Sequence, residues 1–445
     1  MTFLFLRFAL TRAALALLLV TPSAWAALPI ERWTHSSGAQ IYLVQSPGIP
    51  MVDVQIDFDA GDRRSPMGKT GLAGLMASAT RNGVKAAPGQ SALDENALGE
   101  AWADLGASLT AGAGNDRLTF SLRSLSYPDV LAQAAALAAR QVGEPAFPDK
   151  LWLRDRPKML ASIQEANTRP AIIAARAFNA AVYGSHPYGR EMTEADLNNI
   201  STADMQALHE RLVRACYARI SIVGAVDRRQ ADALVSTLLA RLPQGPCASL
   251  PPVEEVQPLK QAVDQRIAFD AAQAHVLVGQ PGIKRSSPDF FALLVGNHIL
   301  GGGGFTARLT GELREKRGLT YGVYSSFAPA LHAGAFTVSL QTRPDQAQQA
   351  LDLVRSELAR FVAQGPTETE LQAAKDNLIG GFALRIDTNR KLLDNVANIA
   401  WNDLPLDYLS TWADQVQRIS AHDIRQAFAR TLAPQTMVTV VLGGK

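Results

Sequence analysis

ISTADMQALHERLVRACYARISIVG, residues 200 to 224, and ISAHDIRQAFARTLAPQTMVTVVLG, residues 419 to 443, align without a gap. Five positions coincide: Ile200 with Ile419, Ser201 with Ser420, Asp204 with Asp423, Arg211 with Arg430, and Gly224 with Gly443. Each segment opens on a Ser placed to cap a helix, runs through a helical stretch and ends in a β-branched strand. Upstream, LGASLTAGAGNDRLTFSLRSLSYPD from Leu105 matches YGVYSSFAPALHAGAFTVSLQTRPD from Tyr321. Both read as a strand pair, then a Pro-Asp turn, then an Ala/Leu-rich amphipathic helix. Two independent matches at nearly one offset make a tandem repeat of about 220 residues, too long for a solenoid unit and therefore a duplicated domain.

The linker between the copies is QGPCASLPPVEEVQP, residues 244 to 258, rich in Pro and without periodicity. This gives domains over 27–243 and 259–445. Strands are expected at IYLVQS, VDVQIDF, RLTFSLRS and RISIVGA in the first half, and at AHVLVGQ, GAFTVSLQ and MVTVVLG in the second. Strands mixed with clustered helices give an α+β fold, each half a mainly antiparallel sheet with helices packed on one face.

The chain has 445 residues, of which 47% are hydrophobic, enough for a sizeable core. A net charge of +2 with no block of like charges argues against nucleic acid or a strongly acidic partner. Arg7 and Arg12 precede an apolar run, Ala13 to Val20, and a small-x-small pattern at Ala24 and Ala26. This reads as a secretory signal peptide over residues 1–26, with export to a bacterial periplasm. No later stretch reaches the length of a membrane span. An oxidising compartment would permit a disulfide between Cys216 and Cys247, and two separate thiols are the alternative.

VQIDFDAGDRRSPMGKTGLAGLMASATRNG, Val54 to Gly83, resembles the N-terminal active-site segment of the pitrilysin/insulinase (inverzincin) peptidase family. In that family an A-G-x-R turn leads into a helix reading G-x-A-H-x-x-E-H. The matched flanks are Ala60-Gly61, Arg63 and Thr70 to Ala73, and SHPYGR (Ser185 to Arg190) and ISIVGAVD (Ile220 to Asp227) are further landmarks. The motif works because two imidazoles one helical turn apart share a face and bind one zinc ion, with a Glu beside the metal-bound water as base. Here the His positions fall on Gly74 and Ser78 and the Glu position on Ala77. The family's third ligand comes from an E-R-x5-E helix. In DRPKMLASIQE, Asp155 to Glu165, Asp155 takes the place of the first Glu and the ligand position falls on Ser162, with Glu165 three residues away. None of these replacements is a plausible zinc ligand. The seven His include no pair four residues apart, and His209-Glu210 reads as a surface pair on an amphipathic helix.

HILGGGGFTARLTGELREKRGLTYGVYSSF, His298 to Phe327, resembles the family's second half more strongly. There an L-R-x6-Y pair reaches across a closed chamber to the zinc site, and its counterparts are Arg314 and Tyr321. A phenol can donate to a developing oxyanion, and a guanidinium can hold backbone carbonyls. Residue by residue, the other reading puts Arg314 in an ion pair with Glu312 or Glu315 and packs Tyr321 at a strand edge. Tyr324, three positions on, is expected on the opposite strand face. The run Gly301, Gly302, Gly303, Gly304 reads as a flexible helix-terminating turn. The resemblance also points to the glycine-rich loop by which the non-catalytic subunit of the mitochondrial processing peptidase captures substrate.

The resemblance therefore implies a half-clamshell without zinc or other cofactor of its own. It would pair with a zinc-bearing homologous peptidase subunit, enclose a peptide substrate, and supply Arg314 and Tyr321 to hydrolysis. The alternative is a structural or peptide-binding clamshell with no part in catalysis.

Overall fold

The computed structural model of the chain describes residues 29–444. The signal peptide expected over residues 1–26 lies outside them. Two sheets and their helices account for the architecture. The first comprises β1 (Glu31–Thr34), β2 (Gln40–Gln45), β3 (Met51–Phe58), β6 (Ser108–Ala113), β7 (Leu118–Leu125) and β8 (Arg219–Gly224), with a small hairpin of β4 (Gly83–Val84) and β5 (Leu93–Asp94) beside it. The second comprises β9 (Val263–Ile267), β10 (Ala274–Pro281), β11 (Thr320–Phe327), β12 (Ala335–Thr342) and β13 (Val438–Leu442). The strand orders are β1-β2-β8-β3-β7-β6 and β11-β12-β10-β13-β9. Reversed, the second order repeats the first from β2 onward. Each sheet has one parallel pair, β2–β8 in the first and β9–β13 in the second, and is otherwise antiparallel. The duplication and the α+β class expected from the sequence are both present.

Local chemistry explains the matching helices. Ser201 and Ser420 each cap a helix, accepting from the backbone N–H of Asp204 and Asp423, whose carboxylates reach back to the cap N–H. These reciprocal bonds satisfy donors that a helix start leaves free.

Each sheet buries one face under helices of its own half. Ile41, Leu43, Val54, Ile56, Ile220 and Ile222 do so in the first sheet, and Val276, Val278, Val338 and Val441 in the second. The alternate residues point the other way, as the two-residue period of a strand requires. A helix lent by the other half covers them. Helix Asn389–Trp401 lays Leu392, Leu393, Val396 and Ile399 on Tyr42, Val44 and Val223 of the first sheet. Helix Pro170–Tyr183 lays Ala174, Phe178 and Val182 on Val438, Val440 and Leu442 of the second. The two helices occupy equivalent places in the repeat, so the exchange is reciprocal.

Residues 244–258 carry no helix or strand. They are tied down at both ends of the segment. Cys247 is disulfide-bonded to Cys216, with Cα atoms 6.0 Å apart, which resolves the choice between disulfide and free thiols. Glu255 pairs with Lys284 at 2.6 Å and with His332 Nδ1 at 3.2 Å. No helix among the described residues is long and apolar enough to cross a membrane.

Candidate functional site

Helix Leu72–Ala79 carries the positions at which the motif would bind metal. Leu72, Ala73, Leu75, Met76 and Ala77 are buried, while Gly74 is half-buried and Ser78 exposed, one turn apart on the outer face. A Cβ built on Gly74 meets nothing within 4 Å, so space for a larger side chain is there. Donor atoms are not. Hydrogen and a methyl group stand at Gly74 and Ala77, and the Ser78 hydroxyl is a poor zinc ligand. Ser78 borders a small pocket of about 40 Å³ whose walls include Leu75, Phe147, Trp152, Asp155 and Met159. Ser162 lies farther along helix Asp149–Ala166, exposed, and does not line this pocket.

The nearby carboxylates are already engaged. Asp155 pairs with Arg154 at 2.7 Å and with Lys158 at 3.4 Å, and Arg154 also holds Glu95 at 2.8 Å. The hydrogen bonds from Arg154 hold the Asp155 carboxyl below its ordinary range. Glu165 pairs with Arg169 one turn on. His209 is buried and its Nε2 lies 2.7 Å from the Val142 carbonyl, so it is a core residue and not the surface partner of Glu210. Among the described residues no cluster of three or more His, Cys, Asp or Glu could hold a metal ion. The residues present do not fit a zinc ion at this helix.

The SHPYGR landmark fastens the two halves together. Tyr188 donates to Asp116 Oδ1 at 2.5 Å and accepts from the His332 backbone N–H at 3.2 Å. Asp116 also accepts from the Leu331 N–H at 3.1 Å and pairs with the buried Arg63 at 3.0 Å. Tyr183 accepts from the Ala335 N–H at 2.8 Å. The His186 and His332 rings lie 5.1 Å apart, both buried. Burial first, and the neighbouring His332 second, hold His186 below the usual imidazole range.

In the second half, β11 is an edge strand, and Arg314 stands just before it in a π-helical turn, Thr310–Glu315. Glu312 is occupied by Lys316 and Arg317, and Glu315 approaches Arg314 only to 3.9 Å. The Arg314 guanidinium instead lies over two rings, 4.6 Å from the Phe305 centroid and 4.7 Å from the Tyr321 centroid. Tyr321 is 84% exposed, so it is not packed against the strand edge. The register of β11 on β12 slips between Thr320 and Val323. Thr320 Oγ1 fixes the irregularity by donating to the Gln341 carbonyl at 2.7 Å and accepting from the Gly322 N–H at 3.1 Å. One extra residue re-phases the alternation. Thr320 and Val323 are both buried, and Tyr321 and Tyr324 are both exposed. The expectation that Tyr324 faces opposite to Tyr321 is thus corrected.

Of the four glycines, Gly301 is buried and packed and the others stand half-buried or exposed. His298–Gly302 is a second π-helical turn. A Cβ on Gly301 would lie 2.6 Å from the Ser325 backbone N, so only glycine allows the turn to seat against β11. Asn297 secures that contact, donating to the Ser325 carbonyl at 3.0 Å and accepting from Ser325 Oγ at 2.7 Å. Gly304 adopts φ +63° and turns the chain toward Phe305. Sequence reasoning passed over Phe305. Its only signal there was an aromatic residue directly after a glycine run.

A family model described as the peptidase M16 inactive domain matches residues 199–378. The crystal structure of a peptidase M16 inactive domain from Pseudomonas fluorescens is 33% identical and superposes with a TM-score of 0.87, covering 94% of this chain and 98% of that one. The non-peptidase homolog YmxG of Helicobacter pylori is 25% identical over 385 residues, 84% of this chain and 85% of the relative. The fold also recurs in the periplasmic protease PqqL of Escherichia coli, at 17% identity and a TM-score of 0.79, where 94% of this chain spans 46% of that one. With no good zinc ligand at the motif positions and a match to a solved relative across nearly its whole length, the chain belongs to the M16 peptidase family, that of pitrilysin and insulinase, as a peptidase-like member of the inactive type.

Proposed function

We propose that this protein is the non-catalytic subunit of a two-subunit periplasmic peptidase. It pairs with a zinc-bearing M16 homologue and lends Arg314 and Tyr321 to peptide hydrolysis. The observation that carries the reading is the Arg314–Tyr321 stack. Its guanidinium makes no hydrogen bond among the described residues, and its phenol is 84% exposed. A fold that left Tyr321 in water for no purpose would gain nothing from it, whereas a substrate enclosed by a second half would meet both groups.

On this reading the partner carries the zinc, which would polarise the scissile carbonyl and activate water. Arg314 offers a planar fork of donors to backbone carbonyls of an extended peptide. Tyr321 donates to the carbonyl oxygen as it becomes anionic. The peptide's backbone can add to a free sheet edge.

The test is reconstitution. The chain is mixed with an HxxEH homologue from the same genome, and cleavage of a quenched fluorogenic peptide is followed. Neither subunit alone should cleave at a comparable rate. Tyr321→Phe should lower kcat by about 10²-fold, the usual cost of one oxyanion donor. Full rates with the Tyr321→Phe pair, or no activation on mixing, would leave a structural clamshell as the better account.

A further inference from the structure

A third side chain, Phe305, stands against the Arg314–Tyr321 pair. Phe305 is 70% exposed, yet its position is built. The turn before it is seated on β11 through Gly301 and Asn297, and Gly304 supplies the left-handed residue that brings the ring over Arg314. Thr306 Oγ1 closes the turn on the Gly303 carbonyl at 3.0 Å. The two rings lie at nearly equal distances from the guanidinium carbon, 4.6 and 4.7 Å. Ring faces attract a cation placed over them. The Arg314 guanidinium makes no side-chain hydrogen bond among the described residues, and its nearest carboxylate oxygen is 3.9 Å away, so its N–H groups are free for acceptors. Phe305 also has ring surface that Arg314 does not cover.

We propose that Phe305 is a specificity-determining residue. Its free ring surface takes an apolar or aromatic side chain of the peptide whose backbone Arg314 holds. The inference rests on the peptide-handling role proposed above and adds a substrate class to it: extended peptides with an apolar side chain next to the carbonyl that Arg314 binds. The chemistry favours such a side chain. Aromatic and aliphatic groups gain by leaving water against an exposed ring, and an acidic side chain would compete with the backbone for the guanidinium.

The experiment is fluorescence anisotropy on the full mature chain with two labelled Gly/Ser/Ala peptides. They are identical except that a central Phe in one is Ser in the other. The wild type should bind the Phe peptide about tenfold more tightly, as expected for one well-placed aromatic contact. Phe305→Ala should bring that ratio close to one, and Phe305→Tyr should retain it. Arg314→Gln should weaken both peptides together and leave the ratio unchanged, a pattern that a merely structural change does not produce. Thermal melts confirm that each variant is folded. If Phe305→Ala binds peptide with the wild-type ratio, Phe305 does not read the side chain, although peptide binding stands. If the wild type binds neither peptide, both the specificity assignment and the peptide-handling role fall.

Discussion

Replacing Phe178 by Ala tests whether the lent helices make the two halves one cooperative unit. Phe178 sits on helix Pro170–Tyr183, is 3% exposed, and packs on Val438, Val440 and Leu442 of the other half's sheet. Gly279 leaves room for the ring, because a Cβ there would stand 2.9 Å from Phe178 Cζ. Truncating a buried Phe costs about 3–5 kcal/mol in lost transfer energy and cavity formation. Its effect on Tm depends on how much of the chain unfolds together. Unfolding entropy is about 2.1 cal/mol/K per residue, or roughly 0.8 kcal/mol/K for roughly 400 residues and roughly 0.4 for one half. A loss of ~4 kcal/mol then lowers a single joint transition by about 5 °C, but lowers an independent half by about 10 °C. Differential scanning calorimetry of wild type and variant separates these outcomes. Each sheet needs the other half's helix to cover its second face, so one transition and the smaller shift are expected. Two transitions, only one of which moves, would show that the halves fold independently. A loss under about 1 kcal/mol would show that the helix is not seated as described.

Two further outcomes follow from particular side chains. The double variant Gly74→His with Ser78→His places imidazoles one turn apart on an open face, beside the pocket that Ser78 shares with Asp155. It should bind Zn²⁺, and the wild type should not. At a hundredfold excess over Kd, stability should rise by about 2.7 kcal/mol, and unchanged melts in Zn²⁺ would refute the placement of these two positions. Acidification should destabilise the fold. Burial holds His186, His209, His275 and His298 below the ordinary imidazole pKa. The folded chain therefore binds fewer protons than the unfolded one as pH falls through about 6.5, so their contribution is present above that pH and lost below it. Urea midpoints at pH 7.5 and 5.5 should differ, the unfolding free energy falling by at most about 1.4 kcal/mol per pH unit for each imidazole. Equal midpoints would contradict the burial of these rings.

Much of the fold was readable because its signals are local. A Ser followed by Asp three residues on marks a helix start, and it does so at both Ser201 and Ser420. The strand segments expected in both halves are all strands. The lent helices were not readable. The pattern of Pro170–Tyr183 shows that a face is buried, but an apolar stripe does not say against what. The pairing of Cys216 with Cys247 depends on a distance between separate segments, which spacing alone leaves open. TYGVYSSF reads as regular alternation, and Gly322 was the one hint of a slipped register. At the site, the lack of a good zinc ligand at Gly74, Ala77 and Ser78 was plain from identity alone. Of the two rings against Arg314 one was visible, because Tyr321 came with the motif and Phe305 reaches it only through the turn at Gly304.

The reciprocal loan of helices also decides what a protease can do to this molecule. Cutting the exposed peptide between the halves breaks one covalent bond but frees neither piece, since each is still wrapped by an arm of the other. The nicked protein should elute as an intact particle, and either fragment produced on its own should expose a bare oily flank and precipitate.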